Sequence, residues 1–239
     1  MAKAQGIEFD KFATGHYARV EEENGIFVLK RGIAQNKDQS YFLYRLKQEQ
    51  LQNIILPLGG FTKEQIRSIA LDNNLLSAEK PDSQDFYGGD YNELLGLDEK
   101  PGNIVDTQGN ILGTHKGIWN YTVGQRKGLG ISAKEPLYVL KLNKDTNEVV
   151  VGFRDETFNK QLIANNVNLI VPVKKNKDIA VRVKIRSTQQ PQMATIFRND
   201  DDTVTVTFDE YQKSIALGQS AVFYDADTVV GGGIIDKIL

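Results

Sequence analysis

From Pro136 onward the sequence is a succession of short apolar runs separated by turn residues, and this spacing most limits what the chain can fold into. Leu137 to Leu142 is followed by a turn at Asn143 to Asn147 and by Glu148 to Gly152, with later runs at Val167, Ile179, Met193, Thr203, Ser220 and Val229. Short strands recurring at such intervals predict a small antiparallel β-barrel. The like-charge run Asp200-Asp-Asp202 reads as a solvated hairpin tip.

Upstream the pattern is mixed. Ile7 to Ala13 alternates weakly and runs into Thr14-Gly15-His16-Tyr17, a strand ending in a glycine-bearing loop. Asn24-Gly25 separates Tyr17–Glu21 from Ile26–Arg31, and that pair favours positive φ and hence a hairpin. A helical stretch extends from about Gln39 to Leu51, and after Leu56-Pro-Leu-Gly-Gly60 a second helix begins at Thr62. Thr62 and Gln65 form a capping box there, with Phe61 and Ile66 placed as a hydrophobic staple. Ile66, Ile69 and Ala70 share one face and predict packing on a sheet, and Asn73-Asn74 ends the helix. From Ser77 to about Ala133 the pieces are short and rich in Gly and Asp, including a turn at Asp106–Asn110, and predict a small domain with little core of its own.

Composition removes whole classes of function. The 239 residues contain no cysteine, which excludes a disulfide framework, thiolate metal sites and thiol or persulfide chemistry on these residues. A formal net charge of -2 means that any nucleic-acid contact must come from a local patch. No run approaches the ~20 apolar residues of a membrane helix, and the start at Met1 carries no signal-peptide core. A soluble, cytoplasmic protein without a membrane partner is the expectation.

Two patches invite a nucleic-acid reading. Val181, Val183 and Ile185 alternate with Arg182, Lys184 and Arg186, so period two puts three apolar groups on one face and three cations on the other. Between Pro172 and Gln190 six cations face one acid, Asp178, an excess that suits a phosphate backbone but equally suits an outward face kept charged for solubility. In Gly117–Gly130, Arg126-Lys127 sits between glycines near Trp119 and Tyr121, which fits a phosphate or a splayed base, although a lone Trp is commonly core. His16 reads either as a polar loop residue or as a nucleotide contact beside Gly15, and neither His16 nor His115 has metal-ligand spacing. No Ser-His-Asp order, Walker loop, GxGxxG or close carboxylate pair is present.

Several segments, taken in order, resemble the tRNA-specific 2-thiouridylase family: Phe12-Ala-Thr-Gly-His-Tyr-Ala-Arg19, Lys37-Asp-Gln-Ser-Tyr-Phe-Leu43, Leu56-Pro-Leu-Gly-Gly60, Gly124-Gln-Arg-Lys-Gly-Leu-Gly130, and Gly218-Gln-Ser-Ala-Val-Phe-Tyr224 with Gly231-Gly-Gly233. The resemblance spans nearly the whole chain and corresponds to the C-terminal two-thirds of such an enzyme. It implies an α+β architecture: the end of an adenylating α/β domain over residues 1–76, a small central domain over 77–134, and a C-terminal antiparallel β-barrel over 135–239 that binds tRNA.

The resemblance further implies ATP, with Mg, at a site touched by Gly15, and tRNA contacts from His16, Lys37, Asp38, Gln39, Arg186, Ser187 and Gln219. In that family ATP adenylates the uridine O2, a cysteine persulfide delivers sulfur, and a second cysteine helps release the product. Two departures stand out. The glycine- and serine-rich ATP loop and the first cysteine would lie upstream of Met1, and in Ser83-Gln-Asp-Phe-Tyr-Gly88 the persulfide cysteine's position is held by Tyr87, whose phenol carries no sulfane sulfur. The expectation is a partial sulfurtransferase, inactive alone, that is a truncated reading frame, a fragment or one half of a split enzyme, the last working with a separate N-terminal half and a sulfur-relay donor. A tRNA-binding module without chemistry is the alternative, and a poorly stable remnant a third.

Overall fold

A computed structural model of the chain describes residues 9–75, 96 and 98–239. By compactness it divides into one unit containing residues 1–80, 161–210 and 217–239 and another containing 81–160 and 211–216.

The first unit opens with β1 (Phe12–Ala13), β2 (Ala18–Glu23), β3 (Ile26–Arg31), α1 (Ser40–Leu43), α2 (Gln48–Asn53), β4 (Ile54–Ile55) and α3 (Lys63–Asp72). β1 and β4 pair in parallel, Phe12 against Ile54 and Ala13 against Ile55, and the Thr14 amide extends the ladder by donating to the Ile55 carbonyl at 3.1 Å. β2 and β3 form the hairpin that Asn24-Gly25 predicts: φ is 50° and 78° at the two residues, the left-handed pair that a two-residue turn of matching twist requires.

The helical stretch expected from Gln39 to Leu51 is two short helices. The Tyr44 and Leu46 carbonyls between them accept from Asn168 Nδ2 at 2.7 and 3.1 Å, so a distant strand takes acceptors that a continuous helix would use. α3 starts with the expected reciprocal cap, Thr62 Oγ1 accepting from the Gln65 amide at 3.3 Å and Gln65 Oε1 from the Thr62 amide at 2.8 Å. Its predicted packing face is open: Ile69 is 44% exposed and no described residue of the helix is buried.

The second unit's sheet comprises β5 (Gly102–Val105), β6 (Ile111–His115), β7 (Tyr138–Asn143) and β8 (Glu148–Gly152) in the order β6-β5-β8-β7. β5 and β8 pair in parallel, and Ile104, Leu129, Val139, Val149 and Val151 form a fully apolar core. The central segment therefore has a core, because the 138–152 hairpin pairs with β5 and supplies three of its five buried residues. The sheets divide between Gly152 and Phe158 rather than near Lys134.

The barrel follows: β9 (Phe158–Leu169), β10 (Asp178–Lys184), β11 (Gln192–Arg198), β12 (Val204–Lys213), β13 (Ser220–Asp225) and β14 (Thr228–Ile238). Strands run in the order β13-β10-β11-β12-β9-β14, and antiparallel pairing of β13 with β14 closes the cylinder. The fold is thus α+β with a small central sheet and a closed six-stranded C-terminal barrel. Val181, Val183, Ala194, Ile196, Val204, Val206 and Phe208, spaced by two along their strands, are buried. β3 joins the edge of β14 through the Lys30–Thr228 pair.

α1 seats the N-terminal segment on this barrel. Tyr41, Tyr44 and Leu51 form one cluster with Val222, Tyr224 and Val229, which is why β13 is buried on both faces. Gly232 makes room for Tyr44: a Cβ there would lie 2.7 Å from the ring. Among the described residues no helix is long and apolar enough to cross a membrane.

Candidate functional site

The loop between β3 and α1 is organised by one carboxylate. Asp38 Oδ1 accepts from the Gly32 and Ser40 amides, each at 3.1 Å, while Oδ2 accepts from Ser40 Oγ at 3.0 Å and from Arg31 Nε at 3.2 Å. Its side chain is 1% exposed. Gln39 is bound on the other side: its amide donates to the Tyr17 carbonyl at 2.9 Å, and its Oε1 accepts from the Tyr17 amide at 3.0 Å. The Lys37–Gln39 and Gly15–His16 segments are therefore held as neighbours.

His16 is half-buried, with Nδ1 2.9 Å from Thr14 Oγ1. Gly15 is exposed, and a Cβ there would meet only Leu58 Cδ1 at 3.6 Å, an ordinary contact. Packing therefore does not demand glycine at this position, and its bare backbone is open to a ligand.

The barrel residues converge on the same helix. Tyr41 Oη donates to the Ser220 carbonyl at 2.9 Å, and Ser220 Oγ donates to Tyr44 Oη at 3.2 Å, so exposed Gln219 is fixed one residue from the seat of α1. Arg186 lies near enough to Tyr41 for its charge to act on that phenol, although burial dominates and pushes the phenol above its usual range. Ser187 follows in the turn closed by the Gln189 amide on the Arg186 carbonyl at 3.2 Å.

The basic stripe needs correction. Arg182 is exposed and Arg186 half-buried, but Lys184 is 5% exposed beneath α1, its Nζ 5.6 Å from the centre of the Tyr41 ring. Burial lowers its pKa, the Asp38 charge works the other way, and Arg31 adds to the lowering. Period two assigns Lys184 to the face opposite Val183 correctly, but that face is covered. Lys175 is also engaged, paired with Asp202 at 2.9 Å, and Asp202 also holds Arg198 at 2.6 Å. The Asp200–Asp202 tip is a clamp as well as a solvated turn.

Beside the seat a cleft of about 710 Å3 is lined by Arg31, Gln35, Arg182, Gln190, Met193 and Tyr224. Burial holds the Tyr224 phenol far above its ordinary range, so it stays protonated. In the second unit Arg126 and Lys127 are exposed, while half-buried Trp119 lies over the backbone of Gly117, where a Cβ would come 2.5 Å from its ring.

Three family models match consecutive stretches: a tRNA methyl transferase HUP domain over residues 1–87, a tRNA methyl transferase PRC-barrel domain over 95–153 and an aminomethyltransferase beta-barrel domain over 159–235. The chain is 48% identical over 237 residues to the tRNA-specific 2-thiouridylase MnmA of Endomicrobium trichonymphae, a match covering 98% of this chain and 66% of that protein. It is 45% identical over 246 residues to the protein of the same name from Clostridioides difficile strain 630, covering 99% and 68%. The chain belongs to the tRNA-specific 2-thiouridylase family. It spans about two thirds of the length of these relatives.

The second and third matched stretches meet where the two sheets divide. Within the 2-thiouridylase frame, Tyr87 and the Ser83–Gly88 segment lie outside the described residues. Sequence reasoning did not single out Arg31, Ser40, Tyr41 and Tyr224, which hold the loops around α1.

Proposed function

We propose that the chain is the tRNA-docking part of a 2-thiouridylase, contributing one wall of the nucleotide site and a surface that receives the tRNA uridine to be thiolated. The observation carrying this reading is the convergence on α1 of four chain segments: Gly15–His16, Lys37–Gln39, the Arg186–Ser187 turn and the Gln219 strand end. They bring backbone amides, side-chain amides and cations together, as recognition of an RNA backbone and a splayed base requires.

ATP, when bound in this family, supplies the adenylyl group that makes the uridine oxygen a leaving group. The residues in hand fit such a ligand only in part. Gly15 offers an open backbone, but residues 1–239 contain no glycine-rich phosphate loop, and without a thiol no persulfide step can be written on them. What these residues do is bind and orient. Gln39 ties the His16 loop to the Lys37 loop, and Arg186 supplies a fixed positive charge beside them. Activation and sulfur delivery fall to parts of the enzyme outside these residues and to a sulfur donor. The reading of residues 1–76 as the end of an adenylating domain is supported by the parallel β1–β4 pair.

The test is fluorescence anisotropy of an unmodified tRNA transcript titrated with the 239-residue chain. Binding should weaken steeply as salt rises, and Arg186→Ala should lower affinity and flatten the salt slope by about one unit. A salt-independent affinity, or Arg186→Ala equal to wild type, overturns the docking role. The chain alone should release no pyrophosphate from ATP in the presence of tRNA.

A further inference from the structure

The resemblance puts Asp38 among residues that touch tRNA, but its carboxylate has no reach left for a ligand. Both oxygens are used inside the protein, by two amides, one hydroxyl and one guanidinium, and the side chain is 1% exposed. A carboxylate there also faces the phosphate backbone as a like charge, the wrong sign for direct contact. We infer that Asp38 is a positioning residue: it fixes the loop from Gly32 to Ser40 so that Lys37 and Gln39 stand beside His16, and it ties that loop to the barrel. The inference rests on the RNA-docking reading and assigns this residue a different task within it.

Three links give Asp38 this leverage. Through Gly32 and Ser40 it closes both ends of the loop, as an acceptor bridging two amides eight residues apart. Through Ser40 it reaches β13, because Ser40 Oγ lies 3.4 Å from Tyr224 Oη. Through Arg31 it reaches the end of β3, where the Arg31 amide donates to the Asp227 carbonyl at 2.8 Å and the guanidinium lies 5.9 Å from the centre of the Tyr224 ring. Lys184 on β10 is the further buried cation of the group. Loop, hairpin and two barrel strands, β10 and β13, thus share one anion, and its removal frees the loop at both ends.

The experiment uses the 239-residue chain, with Asp38→Ala, Lys37→Ala, the double variant, and Asp38→Asn as the conservative variant that keeps one oxygen for the two amides. Hydrogen exchange over residues 32–40 should quicken at least about tenfold in Asp38→Ala, with β11 and β12 unchanged, and Asp38→Asn should restore most of the protection. Affinity for the tRNA transcript should fall about tenfold in Asp38→Ala, and Lys37→Ala should then weaken binding no further, although alone it costs about threefold. Unchanged loop exchange, or independent multiplication of the two affinity losses, overturns the positioning role and makes Asp38 a direct contact. If wild type binds no tRNA, the docking reading fails while loop exchange still decides whether Asp38 fixes the loop. If Asp38→Ala does not fold, the same comparisons are read from Asp38→Asn, whose loop exchange must then lie above wild type.

Discussion

The core cluster of the four-stranded sheet is built from the apolar side chains of Ile104, Leu129, Val139, Val149 and Val151, with His115 the one buried polar side chain on its described strands, whereas the seat of α1 on the barrel buries a carboxylate, an ammonium and three phenols beside a guanidinium. An apolar core is held by non-directional burial and tolerates small changes of shape. A buried polar seat has directional demands, and each member depends on its partners. The difference matches the tasks: one interior only has to exist, while the other has to hold four loops in register.

The contrast is sharpest at Asp38. Asp38→Ala strands Arg31 and Lys184 without their anion and should lower the unfolding free energy by about 3–5 kcal/mol, read from the urea midpoint by circular dichroism. Ile104→Val, at a site with no exposure, should cost only about 0.5–1.5 kcal/mol, followed by the fluorescence of Trp119. Equal losses would erase the distinction between the two interiors. Lys184→Met should cost about 0 kcal/mol or stabilise slightly, since the desolvated cation is replaced by an apolar chain of similar length and Asp38 keeps Arg31 and three further donors. A loss comparable to that of Asp38→Ala would make the lysine an essential member of the seat.

The smallest effect is at the surface turn of the second unit. Asp106 accepts from the Gln108 and Asn110 amides at 2.9 Å and from Asn110 Nδ2 at 2.8 Å, and the Asn110 side-chain bond is the main cause that holds its pKa below the ordinary aspartate value. A folded pKa below the unfolded one means that the contribution is complete above pH 3.8 and is lost as pH falls through the folded value. Amide protection at Gly109 and Asn110 should therefore fade only below pH 3.8, and Asp106→Asn should remove that dependence.

Local chemistry was readable from sequence, and long-range cover was not. Asn24-Gly25, the Thr62–Gln65 cap and the Asp106 turn are decided within a few residues, and each is found as expected. The run of short strands predicted a barrel because closure follows from their number and spacing. Lys184 was misread as open because period two gives the face of a strand but not what lies over it, here a helix some 140 residues earlier in the chain. The Gln39–Leu51 stretch was read as one helix because its propensity is helical throughout, and the Asn168 amide that interrupts it is 122 residues from Leu46. The 138–152 hairpin was recognised as β, but its partner, β5, was not legible in its own residues.

The seat of α1 also sets a schedule for the chain's synthesis. Ser40 meets Tyr224 across 184 residues, and Tyr41 meets Ser220 across 179. At roughly 5–20 residues per second the helix waits about 10–40 s on the ribosome before its partner strand exists. For that interval Tyr41, Tyr44 and Leu51 have nothing from β13 to cover them, so the nascent chain is open to misassociation at the segment that later seats α1 on the barrel.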